Sequence, residues 1–255
     1  MFANLKDTKK LVLTAMLAAL AFVLSLIEIP TPFQSYLSID ASEIPVLIAA
    51  NFFGSGGLII VVILRSLFRF FFKGTLIFGE IAAICASIIL GLIFTYINKK
   101  MSKNSEIKNN NITKILGIIS SVFCIIAIII LATSNFDWKI MGIIVFSLPL
   151  LLLFILLIRP SKQLKLYFVQ TIISSIVVTV IMVILNFIFI TPSNALQKFA
   201  FYPEIVELWF NGSIKQYIYV TIIPLVPFNI FKIIIMIWLY FSVERVIKFS
   251  KTKTN

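Results

Sequence analysis

Histidine is absent from the 255 residues, and cysteine and aspartate are rare, with two and three residues respectively. Without histidine, a Ser-His-Asp triad, a histidine general base and a histidine-ligated metal are all excluded. Cys85 and Cys124 lie in separate apolar segments, which is typical of small core residues rather than of a disulfide or a metal pair. The aspartates are widely spaced, which argues against a two-metal carboxylate site. We therefore expect a protein that is not an enzyme and that has no cofactor or metal.

Charged side chains are also scarce, at 13% of the sequence, whereas 60% of the residues are hydrophobic. This composition predicts an all-α integral membrane protein, most of which lies in the lipid bilayer. The net charge of +12 fits the excess of Lys and Arg on the inner side of membrane proteins and does not call for a nucleic-acid partner. The first apolar run, 11–29, exceeds the core of a usual signal peptide and lacks a clear cleavage site, so we expect it to be retained as a span.

Apolar runs separated by polar turns predict the membrane helices. They occupy 11–29, 43–72, 79–97, 115–132, 140–158, 166–190 and a last run that opens at Pro227. The stretch 43–72 could form one helix, or two short helices broken at Gly54-Ser55-Gly56-Gly57. With two helices, 15 Lys and Arg residues lie inside and 4 outside, whereas with one helix the numbers are about 7 and 12. The positive-inside rule favours two, which gives eight hydrophobic helices with both termini cytoplasmic.

The first half of 43–72 is short, at about 11 residues, and spans only roughly 16 Å of the ~30 Å of hydrocarbon. Such a segment must be covered by protein, and the apolar loop Thr31–Glu43 is the expected cover. Arg65 and Arg69, one turn apart in the second half, could line a polar cavity or extend to the membrane interface, and we favour the interface. Glu80 is interpreted as a cap of the next helix.

Three polar residues fall at the predicted outer ends of the last two spans, namely Asn186, Asn229 and Lys232. Asn229 and Lys232 are three residues apart and therefore share one helix face. Two interpretations stay open. In the first, Asn229 caps its helix and Lys232 extends to the surface. In the second, these residues and Asn186 bind a flat heterocycle with polar edges in a mostly apolar pocket.

The first span carries a pair of small residues, Ala15 and Ala19, four positions apart. Small residues at this spacing let another helix approach closely. Ordinary packing inside the protein explains the pair equally well, so the residues alone leave a partner and an internal contact as alternatives.

These segments together resemble the riboflavin-specific substrate-binding subunits, or S components, of energy-coupling-factor (ECF) vitamin transporters. The matching pieces follow the family's order and cover about 10–98 and 165–248. They are Ala15-Met-Leu-Ala-Ala-Leu-Ala21, Leu37-Ser-Ile-Asp-Ala-Ser-Glu-Ile-Pro45, Phe53-Gly54, Gly79-Glu80, Asn186-Phe187 with Pro192, and Pro227-Phe-Asn-Ile-Phe-Lys232. The Asp-x-Ser-x-Ile-Pro and Pro-Phe-Asn-x-x-Lys pieces are fairly specific as a pair, and each would be weak alone.

The resemblance implies a six-helix bundle in the cell membrane that binds riboflavin from outside and delivers it inward. It also implies partners, namely a transmembrane coupling subunit, which would contact Ala15 and Ala19, and two ATP-binding cassette ATPases. The family's substrate contacts would fall on Leu37, Asn186, Asn229 and Lys232. The amides would pair with the hydrogen-bonding edge of the flavin ring, and Lys232 with a carbonyl or ribityl oxygen.

Two features depart from the family pattern. The family usually has Asn-Tyr where this chain has Asn186-Phe187, so one hydroxyl is lost. Residues 99–164 have no counterpart, and we interpret them as an inserted transmembrane helical hairpin between core helices 1–4 (1–98) and the last two core helices with a cytoplasmic tail (165–255). Alternatives are the same scaffold serving another vitamin or precursor, and a structural or assembly membrane protein whose polar residues serve packing.

Overall fold

A computed structural model of the chain describes most of the predicted spans. The described residues are 8–31, 37–74, 77–103, 139–158, 162–187 and 223–253, together with 118, 121–122 and 124–129. The helices among them are α1 (Thr8–Leu26), α2 (Glu43–Lys73), α3 (Ile77–Lys103), α4 (Lys139–Ile158), α5 (Lys162–Leu185) and α6 (Ile223–Lys253). The helical residues between 118 and 129 fall in the predicted run 115–132.

The described residues confirm an all-α, multi-pass membrane protein. Five of their helices are long and apolar enough to cross a membrane, namely α1, α2, α3, α5 and α6. The finer arrangement, six core helices plus a hairpin, stays a prediction. The strands β1 (Ile29–Pro30) and β2 (Ser38–Ile39) pair in a two-stranded sheet between α1 and α2.

Helix α2 is interrupted at Gly54, within the glycine-rich stretch where the sequence predicts a break. Gly54 has φ 70° and ψ −161°, a combination that is open essentially only to glycine. At the other end, Gly74 adopts φ 63° and its N–H donates to the carbonyl of Phe70 at 3.2 Å, which is a common way to end a helix. Two glycines therefore bound the second half of α2, which carries both arginines.

The described residues fall into two compact units. The first unit comprises 1–29, 39–95 and 232–255, and the second comprises 30–38 and 96–231. In the first unit, α1 packs on α2 around a buried cluster that is rich in small side chains. Its alanines are Ala18, Ala21, Ala49 and Ala50. Small residues at a helix interface allow the two backbones to approach closely, which suits packing in lipid.

In the second unit, α4 packs on α5. Gln170 near the start of α5 donates a hydrogen bond of 2.8 Å to the side-chain oxygen of Asn98 near the end of α3. Helix α6 begins at Ile223, so the expectation that Pro227 opens the last span is wrong. Pro227 lies inside the helix, where its missing N–H affects only the start of the hydrogen-bond ladder, and the helix therefore tolerates it.

Candidate substrate-binding site

Three of the four predicted substrate contacts, Leu37, Asn186 and Asn229, belong to the second unit. Leu37 packs together with Val183 and Phe187 around the buried Leu225 of α6. Asn186 directly precedes Phe187, and Asn229 lies one turn after Leu225, so both amides adjoin this apolar cluster along their own helices. The structure thus brings Leu37 into contact with the end of α5 and the first turn of α6. A role of Leu37, Asn186 and Asn229 in substrate binding stays a prediction.

Asn186 lies where α5 ends. The α-helix stops at Leu185, and Asn186 and Phe187 continue it as a π-helical turn, a local widening that often occurs at functional sites. The side-chain amide of Asn186 donates a hydrogen bond of 2.7 Å to the carbonyl of Met182. That bond uses one of the two amide N–H groups, and the side-chain type offers a second N–H and a carbonyl oxygen.

Asn229 lies inside α6 and is buried, with 6% of its surface exposed. Its amide donates a hydrogen bond of 2.8 Å to the carbonyl of Leu225, one turn earlier in the same helix. The interpretation of Asn229 as a helix cap is therefore wrong, because a cap lies at the first turn. A buried amide with polar atoms beside an apolar cluster suits the hydrogen-bonding edge of a heterocycle.

Lys232 is half-buried on α6 and belongs to the first unit. Its charge acts on Asp40, a buried carboxylate just before α2. Burial by itself would raise the pKa of Asp40. The charge of Lys232, the side-chain hydrogen bond from Ser42, the charge of Arg65 and the backbone hydrogen bond from Ser42 outweigh it and hold that pKa below its ordinary value. Asp40 was not among the predicted site residues.

Arg65 is almost completely buried, with 1% of its surface exposed. It pairs with Glu43 at 3.1 Å and donates hydrogen bonds to the hydroxyls of Ser42 (3.0 Å) and Ser87 (2.8 Å). Ser87 in turn donates to Glu43 at 2.6 Å. The side chain is buried against these polar partners and does not reach an exposed position, so our preference for the interface is wrong for Arg65. Its Nε has no hydrogen-bond partner among the described residues.

Arg69, one turn further along α2, is the centre of a second network in the first unit. Its guanidinium lies 3.1 Å from Glu28, 3.5 Å from Asp40 and 3.1 Å from Glu80. The Glu80 contact is an ion pair without a hydrogen bond, and Lys73 also pairs with Glu28. Glu80 lies in the first turn of α3 and also forms an ion pair with Arg69. Location of Arg69 at the membrane interface stays a prediction.

Ala15 and Ala19 are both exposed on α1. A different side of the helix, with Thr14, Ala18 and Ala21, is buried in the first unit. The predicted small-residue pair is thus not used for the packing of α1 on α2, and internal packing with α2 does not explain it.

Comparison with known proteins shows which proteins this chain is similar to. Residues 9–134 match the family model described as "ECF transporter, substrate-specific component". The chain is 36% identical over 104 residues to the riboflavin transporter RibU of Staphylococcus aureus (strain TCH60), covering 40% of this chain and 55% of that protein. It is 32% identical over 98 residues to the riboflavin transporter FmnP of Bacillus subtilis (strain 168), covering 37% and 52%. The chain thus spans about half the length of the curated relatives it matches.

The fold is also similar to a solved structure described as "Structure and mechanism of the S component of a bacterial ECF transporter". The TM-score is 0.52 at 21% identity, over 94% of this chain and 96% of that one. Fold and apolar helices together define a multi-pass membrane protein with the architecture of an S component. The family model and the two relatives thus show similarity to the substrate-specific components of ECF transporters. These are transporter components and not enzymes, and none of the comparisons indicates a cofactor.

Proposed function

We propose that this chain is the riboflavin-binding subunit of an ECF-type transporter in the cell membrane. The observation that carries the proposal is the apolar cluster of Leu37, Phe187 and Leu225 with the amides of Asn186 and Asn229 beside it. An apolar surface with a few convergent amides suits a flat ring that has polar edges. Two relatives that share about a third of their aligned residues with this chain are named riboflavin transporters, which favours this vitamin.

Each residue of the proposed site has a role. Leu37 and its apolar neighbours would cover the face of the flavin ring, and Asn186 and Asn229 would pair with its carbonyl and ring-nitrogen edge. Lys232, one turn after Asn229 on α6, would donate to a carbonyl or ribityl oxygen. Removing these groups from water is acceptable only if the bound vitamin replaces the hydrogen bonds that water supplied.

The proposed energising partners are a transmembrane coupling subunit and two ATP-binding cassette ATPases. The exposed Ala15 and Ala19 of α1 support a contact with the coupling subunit, because small side chains let a partner helix approach closely. The excess of Lys and Arg in the predicted inner loops supports both termini in the cytoplasm. Residues 99–164 remain, in this proposal, an inserted hairpin in the six-helix core, of which α4 is the second helix.

Titration of riboflavin with the purified protein tests the substrate directly. Free riboflavin fluoresces, and stacking in an apolar, amide-lined site is expected to quench that fluorescence saturably at one vitamin per protein. A folded protein that leaves the fluorescence unchanged would contradict the proposal for riboflavin. Thiamine, folate and other heterocyclic vitamins would then be titrated by calorimetry, and failure of all of them would favour a structural or assembly role.

A further inference from the structure

Arg69 contacts carboxylates from three separate segments of the first unit. Glu28 follows α1 and stands next to β1, Asp40 follows β2, and Glu80 lies in the first turn of α3. Arg69 meets Glu28 through Nη2, Asp40 through Nη1 and Glu80 through Nε. Because the guanidinium is planar and its donors are fixed relative to one another, three contacts from one side chain define the positions of all three segments.

Two of the three carboxylates flank the connection between α1 and α2, where Leu37 lies. Glu28 lies at the start of the connection, two residues after α1 ends, and Asp40 lies near its end, three residues after Leu37. Between them, Thr31 donates through both its N–H (3.0 Å) and its hydroxyl (2.8 Å) to the carbonyl of Leu37. Arg69 thus pairs with both ends of the connection. Within the connection, Thr31 and Leu37 are already joined by hydrogen bonds.

Asp40 has further interactions besides its ion pair with Arg69. One carboxylate oxygen accepts the N–H of Ser42 at 2.8 Å, while the other faces Arg69 at 3.5 Å. The carboxylate is buried and also experiences the charge of Lys232, a proposed substrate contact on α6. Asp40 therefore stands next to Leu37 in sequence and interacts with Lys232 through its charge.

We propose that Arg69 is a positioning residue for substrate binding: by pairing with both Glu28 and Asp40, it fixes the ends of the α1–α2 connection and hence the place of Leu37. This inference rests on the proposed riboflavin site. Arg69 does not touch the vitamin in this account. Arg69 acts through Asp40. Without Arg69, Leu37 would occupy several positions instead of one, and the vitamin would dissociate faster.

The chain contains a matched control for Arg69. Arg65 lies one turn earlier on the same helix, is also buried, and has a carboxylate and two hydroxyls as partners. None of those partners precedes the α1–α2 connection, because all three belong to α2, its first flanking residue or α3. Lysine keeps the charge in either position but loses the planar fork. Arg69→Lys and Arg65→Lys therefore change charge and shape in the same way. Only Arg69→Lys is expected to alter the position of Leu37.

The decisive experiment compares riboflavin binding by full-length wild type, Arg69→Lys and Arg65→Lys, with fluorescence to give affinity and stopped-flow displacement to give dissociation rate. We expect Arg69→Lys to raise the Kd about tenfold, mostly through faster dissociation, and Arg65→Lys to change it by less than about twofold. Melting temperatures of both variants show whether they are equally folded. Equal affinity of both lysine variants and wild type would overturn the role of Arg69.

A second pair of variants removes the acidic partners instead. Asp40→Asn keeps an acceptor for the Ser42 N–H but loses the charge that meets Arg69, whereas Glu80→Gln removes a carboxylate of Arg69 that is remote from the connection. We expect Asp40→Asn to weaken riboflavin binding about tenfold and Glu80→Gln to leave it within about twofold. An equal loss of riboflavin affinity in both variants would mean that the substitutions act through general stability, and would overturn the inference.

A double-mutant cycle separates positioning from stability. If Arg69 acts through Leu37, then Leu37→Ala should weaken binding strongly in wild type but add little in the Arg69→Lys background. Additive losses would contradict positioning. Riboflavin binding by the wild type distinguishes the two proposals. If the wild type does not bind riboflavin, the proposed function is overturned. If the wild type binds and Arg69→Lys has the same affinity, only this inference is overturned.

Discussion

At the scale of single residues, the buried polar groups divide into two kinds. Arg65 and Arg69 are matched by carboxylates and hydroxyls within the first unit. Asn186 and Asn229 each give only one N–H to their own helix. A buried charge that is paired with opposite charges inside the fold is structural, whereas an amide with remaining hydrogen-bonding capacity beside an apolar surface is suited to a ligand.

The amide and the ammonium of α6 are predicted to bind the vitamin. We expect Asn229→Ala and Lys232→Ala each to weaken riboflavin binding by roughly tenfold to a hundredfold, because the ligand's polar edge would lose a partner inside an apolar site. Fluorescence titration of the purified variants measures the change. Ser242→Ala, an exposed site on the same helix whose hydroxyl bonds to the carbonyl of Trp238, should bind as wild type does. Unchanged affinity in both test variants would assign them to helix packing.

At the scale of elements, the break in α2 depends on one residue. Gly54 has a conformation that side chains disfavour, and a Cβ built on it would meet no atom within 4 Å. We therefore expect Gly54→Ala to lower the free energy of unfolding by about 1–3 kcal/mol through backbone strain alone. Thermal unfolding in detergent, followed by circular dichroism, measures the loss. A variant as stable as wild type would show that the helix can be continuous at this point.

Helix α5 carries a row of buried hydroxyls. Thr171, Ser174, Ser175 and Thr179 are buried, and no hydrogen-bond partner is found for their hydroxyls among the described residues. The usual solution, a bond to a carbonyl of the same helix, is adopted by Thr14 and Thr95. An unpaired buried hydroxyl is costly, so packing among the described residues does not account for these four polar groups.

Replacing one of these hydroxyls by a methyl group of the same shape should stabilise the protein. We expect Thr179→Val to raise the free energy of unfolding by about 1–3 kcal/mol. Thr95→Val, whose hydroxyl donates to the carbonyl of Gly91 at 2.9 Å, should give no gain and serves as the control. Unfolding of both variants in the same detergent gives the comparison. A Thr179→Val protein less stable than wild type would mean that the hydroxyl has a partner in the membrane.

At the scale of the whole molecule, the exposed side of α1 is the proposed contact with the coupling subunit. We expect Ala19→Trp to leave riboflavin affinity within about twofold of wild type but to abolish uptake, since a large side chain would keep the partner helix away. Uptake is measured with labelled riboflavin in cells that supply the partners. Leu20→Trp, also exposed and about 100° further round the helix, should transport normally. Normal uptake by Ala19→Trp would exclude this surface.

The class of protein and the break in α2 could be predicted from the sequence because their signals are local. A composition with 60% hydrophobic residues and a glycine-rich stretch act within a few turns of helix. The partners of Arg65 and Arg69 could not be predicted in the same way. Glu28, Asp40 and Glu80 come from other segments, and Glu43 lies at the far end of the interrupted α2, so only the fold brings these carboxylates to the arginines. The sequence signal available for these charge networks consisted of four acidic residues near span ends and two arginines one turn apart.

The candidate site, too, could be predicted from the sequence only in its local features. Asn229 and Lys232 could be identified from spacing on one helix, whereas the packing of Leu37 on Phe187 and Leu225 depends on three distant segments. The start of α6 at Ile223 was missed because Pro227 is a strong signal for a helix start.

The charge networks of α2 also constrain how the protein is made. An arginine in the centre of an inserting helix opposes insertion by about 2.5–3.5 kcal/mol, and α2 contains Arg65 and Arg69. During synthesis, Glu28, Asp40 and Glu43 emerge before these arginines, whereas Glu80 emerges after them. The growing chain therefore already holds three counter-charges when α2 leaves the ribosome, and α2 is expected to enter the bilayer alongside α1 rather than as an independent helix.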